Sequence, residues 1–312
     1  MGMSMVKKEE LYYESRDGIS RIHAVKWIPE GEIRGIVIIV HGMAEHMNRY
    51  DEFAEFLAGK GIMVAGNDHL GHGGSANGKY GYFCLKEAPV VLVKDVHRLK
   101  KLVQSEHPGV PIIILGHSMG SFITRNYLFR YAKGIDGVIL SGTGMQEKGT
   151  ILLTRCLIRV LSLFQGWKHR SEFVNRMAFG NFNQKIVPKE TMFDWLSTDK
   201  KVVERYMNDS ECGFTFTLNG FDTLSKLLYQ LLNKEEIKKI PPFLPILILS
   251  GTEDPTGAYG EGVRHVYQEY KDAGIINVKL KLYEGMRHEI LNERDRATVY
   301  RDIYEWIFSK IG

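Results

Sequence analysis

Short apolar runs of strand length recur along the chain with helical periodicity between them, and this alternation constrains the fold more than any other feature. Residues 35–40, 62–65, 111–115, 137–140, 245–249 and 278–283 read as buried strands, because near-continuous apolar runs suit a sheet covered on both faces. Residues 49–60, 87–106, 118–131, 260–273 and 295–309 read as helices between or after them. Alternation of this kind implies a parallel sheet with right-handed crossovers, helices on each face and ligands at the carboxyl ends of the strands, the doubly wound α/β class. Ahead of it, residues 9–29 read as two strands about the turn Arg16-Asp17-Gly18.

The alternation stops between residues 145 and 240, where helix-like segments occur without a good strand run. The expected organisation is therefore an α/β core from 1–144 and 241–312, with 145–240 inserted as a cap. The first cap segment, ILLTRCLIRVLSLF (151–164), places Arg155, Arg159 and Ser162 on one narrow helical face and leaves a wide apolar arc. Two roles are open to that arc. It packs onto the body, or it lies on a lipid surface; at this length it does not span a bilayer.

Charge and cysteine content narrow the function classes. With 41 basic and 37 acidic residues the formal charge is +4, spread without a basic tract, so a nucleic-acid partner is not expected. Cys84, Cys156 and Cys212 are odd in number and widely spaced, which supports neither a disulfide framework nor a zinc knuckle and suits a reducing cytoplasm. The opening MGMSMVKKEELYY lacks the apolar stretch of about 7–15 residues that a secretory leader needs. A soluble cytoplasmic chain that visits a membrane surface through its cap is the expectation.

The stretch LGHSMGS (115–121) follows a strand and precedes a helix. A serine hydroxyl is a weak nucleophile until it is exposed, given a base and given donors for the charge that develops. GxSxG addresses exposure: a sharp strand-to-helix turn lifts Ser118 out, and Gly116 and Gly120 remove side chains that would collide with it. The base and its orienting acid should follow in the order Ser, Asp or Glu, His. Asp254 lies just beyond the strand run PILILSG and His288 just beyond VKLKLY, so both should reach the same sheet edge. Glu253 and His265 are the alternatives; His265 falls inside a helical stretch. The amides of Met119, after the serine, and Met43, after the strand GIVIIVHG, are the expected oxyanion donors. His41, His46, His69 and His72 with Glu45 and Asp68 match no recognised metal spacing, so neither metal nor cofactor is expected.

The elements HGMAEHMNRY, DHLGHGGS, GHSMGS, SGTEDP and RHEILNE, in this order, resemble the monoacylglycerol lipase and lysophospholipase branch of the α/β-hydrolases, also grouped as serine-aminopeptidase-like hydrolases. The resemblance implies an α/β-hydrolase fold with an eight-stranded, mainly parallel sheet, a cap after the sixth strand, and a triad of Ser118, Asp254 and His288. It also implies Met43 and Met119 as oxyanion donors, and a polar substrate-binding end of the pocket near Glu45 and Arg49. RHEILNE departs from the monoacylglycerol lipases in having no second histidine, and is closer there to bacterial proteins called lysophospholipases. The implied substrate is a small lipid ester; a short-chain ester or the amino end of a peptide is the alternative.

Overall fold

The computed structural model describes residues 6–311. The first five residues of the segment read above as leaderless therefore lie outside it, as does Gly312. Eight strands form one sheet: β1 (Lys7–Glu14), β2 (Arg21–Ile28), β3 (Gly35–Val40), β4 (Ile62–Asn67), β5 (Ile112–His117), β6 (Gly137–Ser141), β7 (Ile246–Gly251) and β8 (Val278–Tyr283). Their spatial order is β1-β2-β4-β3-β5-β6-β7-β8. The pairings β1 with β2 and β2 with β4 are antiparallel, and the remainder are parallel.

Continuous apolar runs are needed because each central strand is covered twice. In β3, Ile36, Ile38 and Val40 point into the core layer containing α2 (Ala88–Glu106) and α3 (Met119–Tyr131), while Val37 and Ile39 join the layer beneath α1 (Asp51–Ala58). The period of two in strand side chains makes that division. Among the expected buried strands, β8 differs. It is an edge strand in which Lys279 and Lys281 alternate with inward Val278 and Leu280. Charged side chains on an edge discourage pairing with another chain.

Between β6 and β7 the chain adds no strand and instead carries α4 (Lys148–Gln165), α5 (Glu172–Phe179), α6 (Lys200–Asn208), α7 (Leu218–Gln230) and α8 (Lys234–Ile237). After β7 come α9 (Glu261–Asp272) and, beyond β8, α10 (Arg296–Ile311). Helix α7 packs on α2, α3 and α4 and so connects this segment to the body. The inward face of α4 is mixed: Ile151, Ile158 and Ser162 are buried, and Arg155 approaches Asp222 of α7 at 3.9 Å, while Arg159 is exposed. Apolar side chains also turn outward, with Leu163 82% and Phe164 84% exposed. Packing onto the body thus does not account for the whole arc. No helix among the described residues is long and apolar enough to cross a membrane.

Strand order reverses at β3, whose neighbours β4 and β5 follow it on opposite sides. Open α/β sheets bind ligands in the crevice at the carboxyl ends of the strands beside such a reversal. Here the loops after β3 and β5 carry Met43 and Ser118.

Candidate active site

Ser118 links β5 to α3 with φ 53° and ψ −121°, a left-handed backbone conformation that a side-chain-bearing residue adopts at a cost. The turn exists because its neighbours permit close approach. A β-carbon on Gly120 would fall on the carbonyls of Val40 and His41, and one on Gly116 would fall on Thr124 and the Gly120 carbonyl. The flanking glycines therefore let the turn sit directly against β3. The Ser118 carbonyl accepts from the Ser121 amide at 2.8 Å, which starts α3.

Asp254 and His288 meet beyond the ends of β7 and β8. His288 Nδ1 donates to Asp254 Oδ1 at 3.0 Å, and both side chains are buried. Asp254 also accepts from the Thr256 amide at 2.8 Å and the Ser250 hydroxyl at 3.0 Å. Burial alone would raise its pKa, but the His288 charge and these hydrogen bonds hold it below the ordinary carboxylate value. For His288, burial works downward while the charge and hydrogen bond of Asp254 work upward, and the net pKa is raised. This pairing fixes the tautomer and leaves Nε2 unprotonated in the neutral ring. The alternatives fall away on position: His265 is an exposed residue of α9, and Glu253 is exposed beside Arg287.

Ser118, His288, Met43 and Met119 line one cavity of about 780 Å³. In the loop after β3, the Gly42 amide donates to Glu45 at 2.5 Å and the Ala44 amide to His72 Nε2 at 3.2 Å. Between them the Met43 amide has no protein acceptor among the described residues, and neither has the Met119 amide at the first position of α3. The His41 ring sits beneath this loop, donating from Nδ1 to the Gly42 carbonyl at 2.8 Å and accepting the His69 amide at 3.0 Å. It is a structural residue.

Glu45 reaches the cavity wall, but Arg49 does not line it. The Arg49 guanidinium bonds both oxygens of Glu289 at 2.7 Å and one oxygen of Glu45 at 2.9 Å. Tyr50 donates to Glu45 at 2.9 Å. The expected polar end is thus an internal ion network that joins the Met43 loop to the His288 loop. Burial raises the pKa of Glu289, but Arg49 outweighs it and keeps that carboxyl below its ordinary value.

Sequence reasoning missed His117, Glu289 and Trp195. The His117 and His288 ring centroids lie 4.7 Å apart, and burial lowers the His117 pKa to about 3, so a neutral ring faces His288. Trp195 packs on the other side of His288, 4.9 Å between centroids. The main chain also joins there: His288 donates to the Trp195 carbonyl at 3.3 Å and Glu289 to that of Leu196 at 2.8 Å. His117 and Glu289 each adjoin a residue picked out from the sequence; nothing local marks Trp195.

The family model for serine aminopeptidase, S33, matches residues 31–295. A monoglyceride lipase of Homo sapiens is 37% identical over 90% of this chain and 84% of its own. A monoacylglycerol lipase of Mycolicibacterium smegmatis is 28% identical, covering 91% and 92%. A thermostable carboxyl esterase from Bacillus coagulans, solved with glycerol, superposes with a TM-score of 0.91 at 32% identity, over 98% of this chain and 99% of that one. Likeness that runs through sheet, inserted helices and site loops alike places this chain in the serine aminopeptidase S33 family, in the monoacylglycerol lipase branch of the α/β-hydrolases.

Proposed function

We propose that this chain is a serine hydrolase that releases a fatty acid from a monoacylglycerol or lysophospholipid through an acyl-serine intermediate. One observation carries the reading: a half-buried, backbone-strained serine and an aspartate-paired histidine open onto the same large, mainly apolar cavity. His288 Nε2 takes the Ser118 proton as Oγ attacks the ester carbonyl. Asp254 holds the imidazole and stabilises its charged form. The Met43 and Met119 amides receive the oxyanion, each worth ~3 kcal/mol of transition-state stabilisation by the scale of single-donor removals elsewhere. His288 then protonates the leaving alcohol, and water, deprotonated by the same nitrogen, releases the acid.

Residues 145–240 act in this proposal as a cap over the acyl chain. Ile151, Phe179, Phe182, Phe221 and Leu224 supply apolar wall, with Thr150, Asn175, Arg176 and Lys189 among the polar side chains that also reach it. Pockets of a few hundred to about 1,000 Å³ with sparse polar groups suit apolar ligands. A panel of 1-monoacylglycerol, lysophosphatidylcholine and p-nitrophenyl esters of graded length tests the substrate class. Turnover of p-nitrophenyl acetate far above every long-chain lipid would replace the lipid reading with a short-chain esterase. Aminopeptidase action needs carboxylates for a cationic amino terminus. Of the cap residues on the cavity, Glu172 alone is acidic, and Glu45 and Glu289 are already committed to Arg49.

The outward face of α4 extends the proposal to the lipid surface. Thr150, Ile151 and Thr154 line the cavity, whereas Leu163 and Phe164 on the outer side project into solvent. Fully burying such side chains is worth about 1.5–3 kcal/mol each. The pair Leu163→Ser and Phe164→Ser is therefore expected to weaken vesicle binding about tenfold or more. Turnover of monoacylglycerol in vesicles should fall with it, and turnover of a soluble butyrate ester should not. Equal losses on both substrates would remove the membrane role.

The raised His288 pKa sets a pH profile. The base works as neutral imidazole, so kcat/KM should fall as pH drops through a pKa above the ordinary histidine value of about 6.5. Asp254→Asn removes the charge that raises it. The acidic limb should move to lower pH, and kcat should drop by roughly 10⁴, as loss of a triad aspartate does elsewhere. An unmoved limb would assign it to another group.

A further inference from the structure

Outside the catalytic cavity, the inserted segment brings two metal-ligating side chains to a histidine of the HGMAEHMNRY element. His46 Nε2 lies 2.9 Å from Asp209 Oδ2, across 163 residues of sequence. The free thiol of Cys212 completes the group, with one ligand atom from each residue lying within 4.8 Å of the others. His46 and Cys212 are buried, while the Asp209 side chain retains 34% exposure and forms the solvent side. Residues 209–212 form a tight turn in which the Cys212 amide donates to the Asp209 carbonyl at 3.0 Å and the Glu211 amide to Asp209 Oδ1 at 2.9 Å. That turn presents the carboxylate and the thiol to the same point.

We propose that His46, Asp209 and Cys212 form a binding site for a divalent cation of the zinc class, which ties the inserted segment to the loop that holds Met43. An imidazole, a carboxylate and a thiolate are a borderline-soft donor set that suits zinc or cobalt and not magnesium or calcium. With metal–ligand bonds of about 2.0–2.3 Å, tetrahedral donors stand roughly 3–4 Å apart, so closing on the ion takes movements of about 1 Å. Thiolate and carboxylate together balance the double charge. The thiol proton leaves to solvent as the metal–sulfur bond forms, with no change of oxidation state. A water entering past Asp209 fills the fourth position.

The site lies where the two parts of the chain already grip each other. The Ala44 carbonyl accepts from the Gly213 amide and from the Tyr206 hydroxyl, each at 3.0 Å. Ala44 follows Met43 and precedes Glu45 by one residue. A cation held by His46 and by Asp209 and Cys212 would close this junction from both sides, and so fix the inserted segment over the cavity.

Titration of the intact protein with zinc chloride, with magnesium chloride as the comparison, tests the site. One equivalent of zinc is expected to bind and to raise the melting temperature, and magnesium to do neither. Cobalt chloride should give a thiolate-to-metal charge-transfer band. Loss of an outer-shell partner costs a metal site about 10–100-fold, and loss of a direct ligand should cost at least as much, so Cys212→Ser and Asp209→Asn should each weaken zinc binding by about 100-fold. The cobalt band should vanish in Cys212→Ser. Both variants touch neither the triad nor the oxyanion amides, and their unchanged ester turnover without metal reports that the fold is kept. Zinc binding of equal strength in wild type and Cys212→Ser, or no stoichiometric zinc binding in wild type, would overturn the proposal and leave His46 and Asp209 as a metal-free contact.

Discussion

Ser118→Ala is expected to lower kcat for any ester substrate by on the order of 10⁶-fold, the scale seen when the nucleophile of a comparable triad is removed. The backbone turn at Ser118 is set by Gly116 and Gly120, whose missing side chains allow its close approach to β3. The substitution therefore removes the reacting atom and little else. Stability should change by no more than about 0.5 kcal/mol, as for a substitution that breaks no packing or buried polar contact. Urea denaturation and steady-state turnover measure the two quantities separately. A variant that melts like the parent and still hydrolyses esters at a comparable rate would refute the acyl-serine mechanism. Fluorophosphonate labelling supplies a second readout, since it should mark the parent protein and not the variant.

Arg49→Met is expected to act on stability. Methionine keeps an unbranched side chain but leaves Glu45 and Glu289, both nearly inaccessible to water, without their cation. Removing one partner of a buried ion pair costs about 3–5 kcal/mol, because the remaining charge stays buried. Whole-protein stabilities are about 5–15 kcal/mol, so this is a large fraction of the total. The sign with pH follows from the same charges. Without Arg49, folded-state carboxylate pKa values rise above their unfolded values, so the deficit is largest at neutral pH and shrinks as the medium becomes acidic enough to protonate both groups. Adding Glu289→Gln to Arg49→Met should restore part of the loss. Urea melts at neutral and acidic pH test this; a deficit that does not vary with pH would mean that loss of packing around the side chain, and not buried charge, explains the effect. Because Glu45 holds the Gly42 amide and Glu289 adjoins His288, kcat should also fall in folded protein while KM changes less.

How much of the site was legible in the sequence depended on distance along the chain. The sharp turn at Ser118 was legible because its cause is local: Gly116 and Gly120 flank the serine whose conformation they permit. Asp254 and His288 were legible because strand ends in a parallel sheet converge on one edge, so counting strands locates them. Arg49 was identified as a candidate for substrate contact, yet its role is decided by Glu289, 240 residues away. No periodicity or spacing reports such a pairing. The apolar arc of 151–164 was equally legible as a pattern and equally silent on direction, since a helix with two distinct faces is compatible with either facing the body.

The sequence by itself determined the alternation of strands and helices, the interruption after β6 and the GxSxG turn, since these follow from side-chain period and short-range sterics. Tertiary structure alone decided that α4 turns Leu163 and Phe164 outward, that Arg49 is held between two carboxylates, and that Cys212 comes to His46. The physical reason is that burial and ion pairing depend on the atoms facing a side chain, and in these cases those atoms belong to residues far away in the chain.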